Sequence, residues 1–251
     1  MSLERKNLRI TVVRRKRGNE QLLAFIKEKH AGESGIVYTS SRAKAETICA
    51  FLAAEGINCL CYHAGLSREQ RELSQTRFLH EKDAVIVATI AFGMGIDKAD
   101  VRFVAHTFLP KSIENYVQEI GRAGRDGQKA EAWLCFSGGD AFFQKKRIAE
   151  SDAEDWYKNI SEVKQDVMQG YAESTECRRN LLLAYFGEET KEACGQCDNC
   201  LASEKSWDAS TAVKKIPLYG VAVLREIEAL PECRTSDRDS ARYRNFVYLA
   251  A

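Results

Sequence analysis

The chain has 251 residues, of which 45% are hydrophobic, and its formal net charge is +1. This length allows one large or two modest domains with a real core, and the balanced charge excludes a broadly polybasic protein, although a local basic track is enough for nucleic acid. No apolar run approaches the ~18 residues of a membrane span, and the first residues do not resemble a secretion signal. We therefore expect an intracellular protein without a membrane partner, in the cytoplasm or nucleoid, or in a eukaryotic nucleus.

The first part of the chain alternates strand-like and helix-like segments. Short apolar runs predict strands at 8–13, 35–40, 57–62, 84–89, 101–106 and 130–136. Ser41, Ser67 and Ser112 stand where helix N-caps are expected, and Ser67 forms a capping box with Gln70. Gly56 is placed to end the first of these helices. This alternation predicts an α/β fold with a parallel sheet and flanking helices, and ligand chemistry in the loops at the carboxyl ends of the strands.

Polar residues follow three of these strands. Ser40 and Arg42 come at the end of the strand at 35–40, and they suit a phosphate held at a helix N-terminus. His63 follows the strand at 57–62, where a structural histidine is an equally good reading. Thr89 ends the strand at 84–89.

The next loop, residues 89–97, is rich in glycine. Gly93 and Gly95 permit close approach of the backbone to a phosphate or sugar, and Asp97 adds a carboxylate. A tight turn closed by a capping aspartate is the alternative interpretation of Asp97.

Residues 118–127 carry the most informative pattern. Arg122 and Arg125 stand three residues apart beside three glycines. Two guanidiniums on a backbone of this kind suit a phosphate chain whose charge shifts during cleavage. The alternative is a solvated cluster in which the arginines pair with Asp126 and Glu119.

Four of the nine cysteines have the spacing of a metal site. They are Cys177, Cys194, Cys197 and Cys200. Four soft thiolates favour zinc and leave no open coordination position, which predicts a structural ion. An iron–sulfur cluster is the main alternative, and a catalytic or redox role is a weaker one.

Two further patterns concern packing. Ile160, Val163, Val167 and Tyr171 recur at helical spacing and predict the core stripe of a helix that packs on a helix starting at Cys177. The basic run Arg14–Arg17 follows an edge strand, and we interpret it as a solvated turn.

Together these segments resemble RecQ-family DNA helicases. Residues 36–42 resemble helicase motif IV, 62–66 the adjoining Tyr-His-Ala-Gly-Leu segment, 87–104 motif V, 118–127 motif VI, and 177–200 the RecQ zinc subdomain. The resemblance implies a RecA-like second helicase lobe at 1–140 and a small helical zinc-binding subdomain with four cysteine ligands at 141–206. It fades at 207–251, where we expect a divergent tail or the truncated start of a winged helix.

The resemblance also implies roles for the site residues. Arg125 would be the arginine finger on the γ-phosphate, Arg122 a second phosphate contact, and Gln118 the link between nucleotide state and the lobe interface. Gly95 and Asp97 would face ATP. The residues implied to contact DNA are Ser40, Arg42, His63 and Thr89.

No Walker loop and no DExH box occurs in the sequence. The cradle for Mg²⁺ and the β- and γ-phosphates would therefore come from a first lobe that carries the Walker motif. We expect the chain to form the C-terminal half of an ATP-dependent 3′–5′ DNA helicase, to contact single-stranded and partly duplex DNA, and to be inactive alone. Two alternatives remain open: a non-catalytic DNA- or partner-binding module derived from such a helicase, and the distal half of a DEAD-box RNA helicase, against which the zinc set speaks.

Overall fold

The computed structural model describes residues 5–89, 92, 97–188 and 192–202. Its strands are β1 (Leu8–Arg14), β2 (Gly35–Tyr38), β3 (Cys59–Tyr62), β4 (Val85–Ala88), β5 (Phe103–His106) and β6 (Ala130–Phe136). Its helices are α1 (Gly18–Lys29), α2 (Arg42–Ala54), α3 (Arg68–His80), α4 (Ile113–Ile120), α5 (Gly138–Ala149), α6 (Asp155–Glu173), α7 (Arg178–Tyr185) and α8 (Asp198–Leu201). The predicted tail at 207–251 lies outside the described residues.

The strands form one parallel sheet in the order β1-β6-β5-β2-β4-β3, which confirms the predicted α/β class. The central strands β2, β4 and β5 are buried at every position, as expected where helices cover both faces of a sheet. Tyr38 is in register with Ala88 and His106, and Tyr62 is also in register with Ala88. The carboxyl ends of four strands therefore reach the same edge of the sheet, and the loops that follow them meet there.

Three predicted serine caps are confirmed. Ser41 accepts a hydrogen bond from the backbone of Lys44 at the start of α2, and Ser112 caps α4. Ser67 and Gln70 form the predicted capping box at the start of α3. Each cap satisfies backbone N–H groups that have no partner within the helix, which typically stabilises a helix by about 1 kcal/mol.

The first two residues of the basic run, Arg14 and Arg15, are packed, whereas Lys16 and Arg17 are exposed. The Arg14 guanidinium lies 5.1 Å from the centre of the Phe136 ring and 3.5 Å from a carboxylate oxygen of Glu173. Arg15 forms an ion pair with Asp140, which is buried in the first turn of α5. The interpretation of this run as a solvated turn was therefore wrong for Arg14 and Arg15, which fasten the edge strand to α5 and α6.

Helix α6 does not bury the predicted stripe. Ile160, Val163 and Val167 are 46%, 63% and 40% exposed, and of the four predicted positions only Tyr171 is buried. The buried face of α6 consists of Gln165, Met168, Tyr171 and Ala172. The periodicity identified an apolar stripe, but of this stripe only Tyr171 packs against the rest of the molecule.

A buried carboxylate in β6 predicts acid sensitivity of the sheet. Burial acts to raise the pKa of Glu131, but His30, the Thr11 hydroxyl (2.7 Å) and the Lys29 and Arg9 cations outweigh it and lower the pKa to about 2. A lowered pKa stabilises the fold above the pKa of the unfolded carboxyl, and this stabilisation is lost as pH falls through the folded value.

We therefore expect Glu131→Gln to lower the free energy of unfolding at pH 7 by roughly 2 kcal/mol, discounted for the half-exposed Lys29 and Arg9 side chains. Urea unfolding at pH 7 and at pH 3 measures this, because the deficit should shrink at the lower pH. A deficit of equal size at both pH values would contradict the electrostatic origin.

Candidate nucleotide site and zinc centre

The arginine loop, residues 121–128, follows the end of α4. Gly124 has φ +60°, and a Cβ there would lie 2.7 Å from Asn7 Nδ2 and 2.8 Å from the carbonyl oxygen of Gln128. The left-handed conformation and the close approach both require glycine at this position. Within this loop Arg122 is half-buried, whereas Arg125 is exposed.

The structure brings Arg125 and Asp97 together. Arg125 Nη1 lies 2.9 Å from Asp97 Oδ1, with the two side chains 38% and 86% exposed. Of the two acids in the alternative surface cluster, Asp126 pairs with Arg102 at 2.5 Å and Glu119 is buried against His106. An ion pair this exposed contributes only about 0–1 kcal/mol to stability. A phosphate could therefore compete for Arg125 at little cost.

A buried polar network of His106, Glu119 and Tyr38 lies next to the arginine loop. His106 Nε2 lies 2.7 Å from Glu119 Oε2, and the His106 ring stacks on Tyr38 with 5.2 Å between ring centres. Burial raises the pKa of Tyr38 to about 12, although the positive charge of Arg122 acts to lower it. Tyr38 therefore keeps its proton and donates to the Phe92 carbonyl at 3.1 Å.

Sequence reasoning missed His106 and gave Glu119 only a surface role. His106 is the last residue of β5, a position where parallel sheets place functional side chains, and that was the available signal. The predicted Gln118 is exposed on α4 and lines, with Arg125 and residues of α7, a cavity of about 330 Å³. Gly95 lies outside the described residues.

The predicted DNA contacts share the same edge of the sheet. Ser40 and Thr89 are half-buried at the ends of β2 and β4, and Arg42 is exposed in the first turn of α2. His63 is instead buried: its Nδ1 accepts from the backbone of Gly65 at 3.2 Å, and its Nε2 lies 3.1 Å from Glu46 Oε1. This environment favours the structural reading of His63.

The four predicted metal ligands form one cluster, in which all the Sγ atoms lie within 4.8 Å of one another. The Sγ atoms of Cys194 and Cys200 are 3.8 Å apart. A zinc ion with four Zn–S bonds of ~2.3 Å requires sulfur separations of roughly 3.8 Å, so the thiols fit a single tetrahedral ion better than a cluster of several irons. Burial acts to raise the pKa of Cys177, but the N–H groups of Cys194 and Asn180 outweigh it and lower that pKa to about 7. This favours the thiolate form at Cys177, whereas burial raises the pKa values of Cys194 and Cys200.

Arg178 ties the zinc knuckle to the preceding helices. Its side chain is buried, with Nη2 3.0 Å from Asp198 Oδ2 and Nη1 2.5 Å from the carbonyl oxygen of Tyr171. The contacts join α6, α7 and α8 around the cysteines. Arg178 is therefore a structural residue of the zinc module.

A parallel sheet with a glycine-rich arginine loop directly before its last strand, followed by a four-cysteine module, defines a helicase lobe with a zinc-binding subdomain. Residues 17–127 match the helicase conserved C-terminal domain, and residues 138–201 match the RecQ zinc-binding domain. The chain belongs to the RecQ family, in which it corresponds to the second RecA-like lobe and the zinc-binding subdomain.

Three relatives illustrate the extent of the similarity. ATP-dependent DNA helicases RecQ of Pasteurella multocida and Haemophilus influenzae are 43% and 42% identical over 86% of this chain. A relative from Acanthamoeba polyphaga mimivirus, 36% identical over 92% of this chain and 42% of its own length, has a name that proposes an ATP-dependent RNA helicase. The chain spans 34% of the length of the two bacterial relatives. No helix among the described residues is long and apolar enough to cross a membrane.

Proposed function

We propose that this chain forms the C-terminal half of an ATP-dependent 3′–5′ DNA helicase of RecQ type and supplies its arginine finger. The position of Arg125 carries the proposal: it lies on the exposed side of a loop that glycine alone can form, and its described carboxylate partner is an exposed one. ATP and Mg²⁺ would be bound chiefly by a first lobe with a Walker motif. Arg125 would neutralise charge on the γ-phosphate during its transfer.

The neighbouring residues have supporting roles in this proposal. Arg122, whose charge acts on the nearby Tyr38, would make a second phosphate contact or orient Arg125. Asp97 would hold Arg125 in the absence of nucleotide and release it when phosphate arrives, and Gly95 would allow the backbone to approach ATP. Gln118, exposed beside the same cavity, would couple the nucleotide to the lobe interface.

The DNA track would run along the edge formed by the ends of β2 and β4. The Ser40 and Thr89 hydroxyls and the Arg42 guanidinium are donors of the kind that contact phosphates without reading sequence. A Cβ on Gly65 would lie 3.2 Å from both Arg42 Cδ and His63 Nδ1. His63 would therefore act on DNA indirectly, since it holds the turn against which Arg42 rests.

Zinc fits the cysteine module as a structural ion. Cys177, Cys194, Cys197 and Cys200 would complete its coordination, so it would supply folding energy and no open position for substrate. One zinc per chain and a colourless protein are the expected results of elemental and optical analysis. Iron with visible absorbance would replace this assignment by an iron–sulfur cluster.

The decisive experiment is single-turnover ATP hydrolysis with single-stranded DNA, in which the chain alone is compared with the chain plus a purified RecQ-type first lobe. We expect hydrolysis only in the mixture, because the chain holds the finger and the other lobe the Walker cradle. Hydrolysis by the chain alone would contradict its proposed inactivity. If neither the chain alone nor the mixture hydrolyses ATP, but the chain still binds DNA, the result would favour a non-catalytic binding module.

The same assay distinguishes the RNA alternative, which the name of the mimivirus relative raises. We expect DNA to stimulate hydrolysis more strongly than RNA of the same sequence. Equal stimulation by the two nucleic acids would count against a DNA-specific motor.

A further inference from the structure

A short segment before β1, residues 5–7, forms hydrogen bonds with the arginine loop. Arg5 Nη2 donates to the carbonyl oxygens of Ala123 and Gly124, both at 2.8 Å, and Nη1 lies 3.4 Å from that of Gly121. Asn7 Nδ2 donates to the carbonyl oxygens of Gly124 and Gln128, also at 2.8 Å. Arg5 Nε in turn faces Asn7 Oδ1 at 3.3 Å. Two side chains thus bind four carbonyl groups of one loop, from more than 110 residues away in sequence.

The chemistry of this contact is specific to these side chains. A guanidinium presents a rigid, planar fork of five donors, so that Arg5 can bind several carbonyl groups at fixed angles, whereas lysine is a single point charge. The amide of Asn7 passes closest to Gly124, at the position where a Cβ would lie 2.7 Å from Nδ2. Asn7 therefore packs against the left-handed turn at Gly124. This turn sets the direction of the backbone at the next residue, Arg125.

The zinc module holds the same segment from its other side. Arg179 Nη2, in the first turn of α7, donates to the carbonyl oxygen of Arg5 at 3.2 Å. Gln196, which lies between two of the cysteine ligands, donates from Nε2 to the carbonyl oxygen of Lys6 at 2.9 Å. Residues 5–7, which we call the strap, therefore contact the arginine loop through their side chains and the zinc module through their backbone.

We propose that Arg5 and Asn7 are positioning residues for the arginine finger, and that the strap couples the folded state of the zinc module to the geometry of the arginine loop. The proposal rests on the function proposed for Arg125, but its central claim concerns the order of the loop. A metal site with no open coordination position would thereby influence ATP hydrolysis at a distance. It would do so through Arg179 and Gln196, the strap, and the turn at Gly124.

Hydrogen–deuterium exchange on the full chain tests the strap directly. In Arg5→Ala and Asn7→Ala, we expect amides within residues 121–128 to exchange about tenfold faster or more, because the local opening free energy falls. Arg5→Lys should restore only part of the protection. Arg9→Ala is the matched control, since Arg9 lies in β1 and faces Glu131 instead of the loop. Unchanged exchange of the loop in Arg5→Ala would overturn the proposal.

Removal of the metal with a chelator tests the coupling between the zinc module and the arginine loop. In the unmodified chain, removal of the ion should accelerate exchange in residues 121–128 as well as in α7 and α8, while α3 stays protected as a control for global unfolding. In Arg5→Ala, chelation should add little further acceleration in the loop, because the connection is already broken. Equal acceleration in both proteins would disprove the route through the strap.

Hydrolysis in the two-lobe mixture separates this proposal from the assignment of the finger. Arg5→Ala should lower kcat for ATP while KM changes little, since Arg5 orients the finger without touching nucleotide. If the unmodified mixture shows no hydrolysis, the proposed function fails, but the exchange experiments still decide whether the strap orders the loop.

Discussion

Arg125→Ala should abolish DNA-stimulated ATP hydrolysis by the chain combined with its first lobe and leave nucleotide binding mostly intact. An arginine finger acts on charge that develops in the transition state, and its removal typically costs ~10³–10⁵ in rate. The fold should tolerate the change, because Arg125 is partly exposed and its ion pair with Asp97 is weakly stabilising. Single-turnover hydrolysis and binding of a fluorescent ATP analogue measure the two effects separately.

Two further variants make this result interpretable. Arg125→Lys keeps the charge but loses bidentate geometry, so we expect it to recover only a small part of the rate. Arg68→Ala removes an equally charged, exposed side chain from α3, where Arg68 pairs with Glu72, and should hydrolyse ATP normally. Normal hydrolysis by Arg125→Ala would show that another residue serves as the finger.

The predictable parts of the fold are those that depend on residues close together in the sequence. The side chains of Ser67 and Gln70 each accept a hydrogen bond from the backbone N–H of the other residue. Because both residues lie within four positions, the capping box can be recognised without knowledge of the rest of the chain. The apolar runs of β2, β4 and β5 are continuous because both faces of the sheet are covered. The four cysteines were likewise identifiable because their spacing and chemistry both point to one metal ion.

The missed features depend on contacts between distant segments. His106 and Glu119 come together only when α4 packs across the end of β5, and no local sequence pattern predicts this contact. The strap residue Arg5 lies 118 residues from the carbonyl group of Ala123 that it binds. Ile160 and Val163 show a different limit, since helical periodicity reveals an apolar face but not whether another element covers it.

The roles of the individual site residues stay predictions for a related reason. The structure places Arg125 beside Asp97 and places Ser40 and Thr89 at one edge of the sheet, which agrees with their proposed functions. His63 differs, because this residue, which the sequence nominated for DNA, is buried against Glu46 and Gly65.

Cys197→Ser should cost the chain its metal and unfold the zinc module while the sheet stays folded. Cys197 is the most buried of the four ligands, and its Sγ accepts a hydrogen bond from the backbone of Cys200. Structural zinc sites typically contribute ~10–16 kcal/mol of binding energy, so loss of one thiolate removes much of what holds α7 and α8 in place. Elemental analysis should show less than one zinc per chain, and limited proteolysis should cut within residues 155–202 first. Cys49→Ser, a change at a half-buried cysteine of α2, is the matched control and should keep both zinc and protease resistance. If Cys197→Ser kept full zinc content and resistance, the four cysteines would not form the site that orders this module, and the coupling through Gln196 and the strap would lose its source.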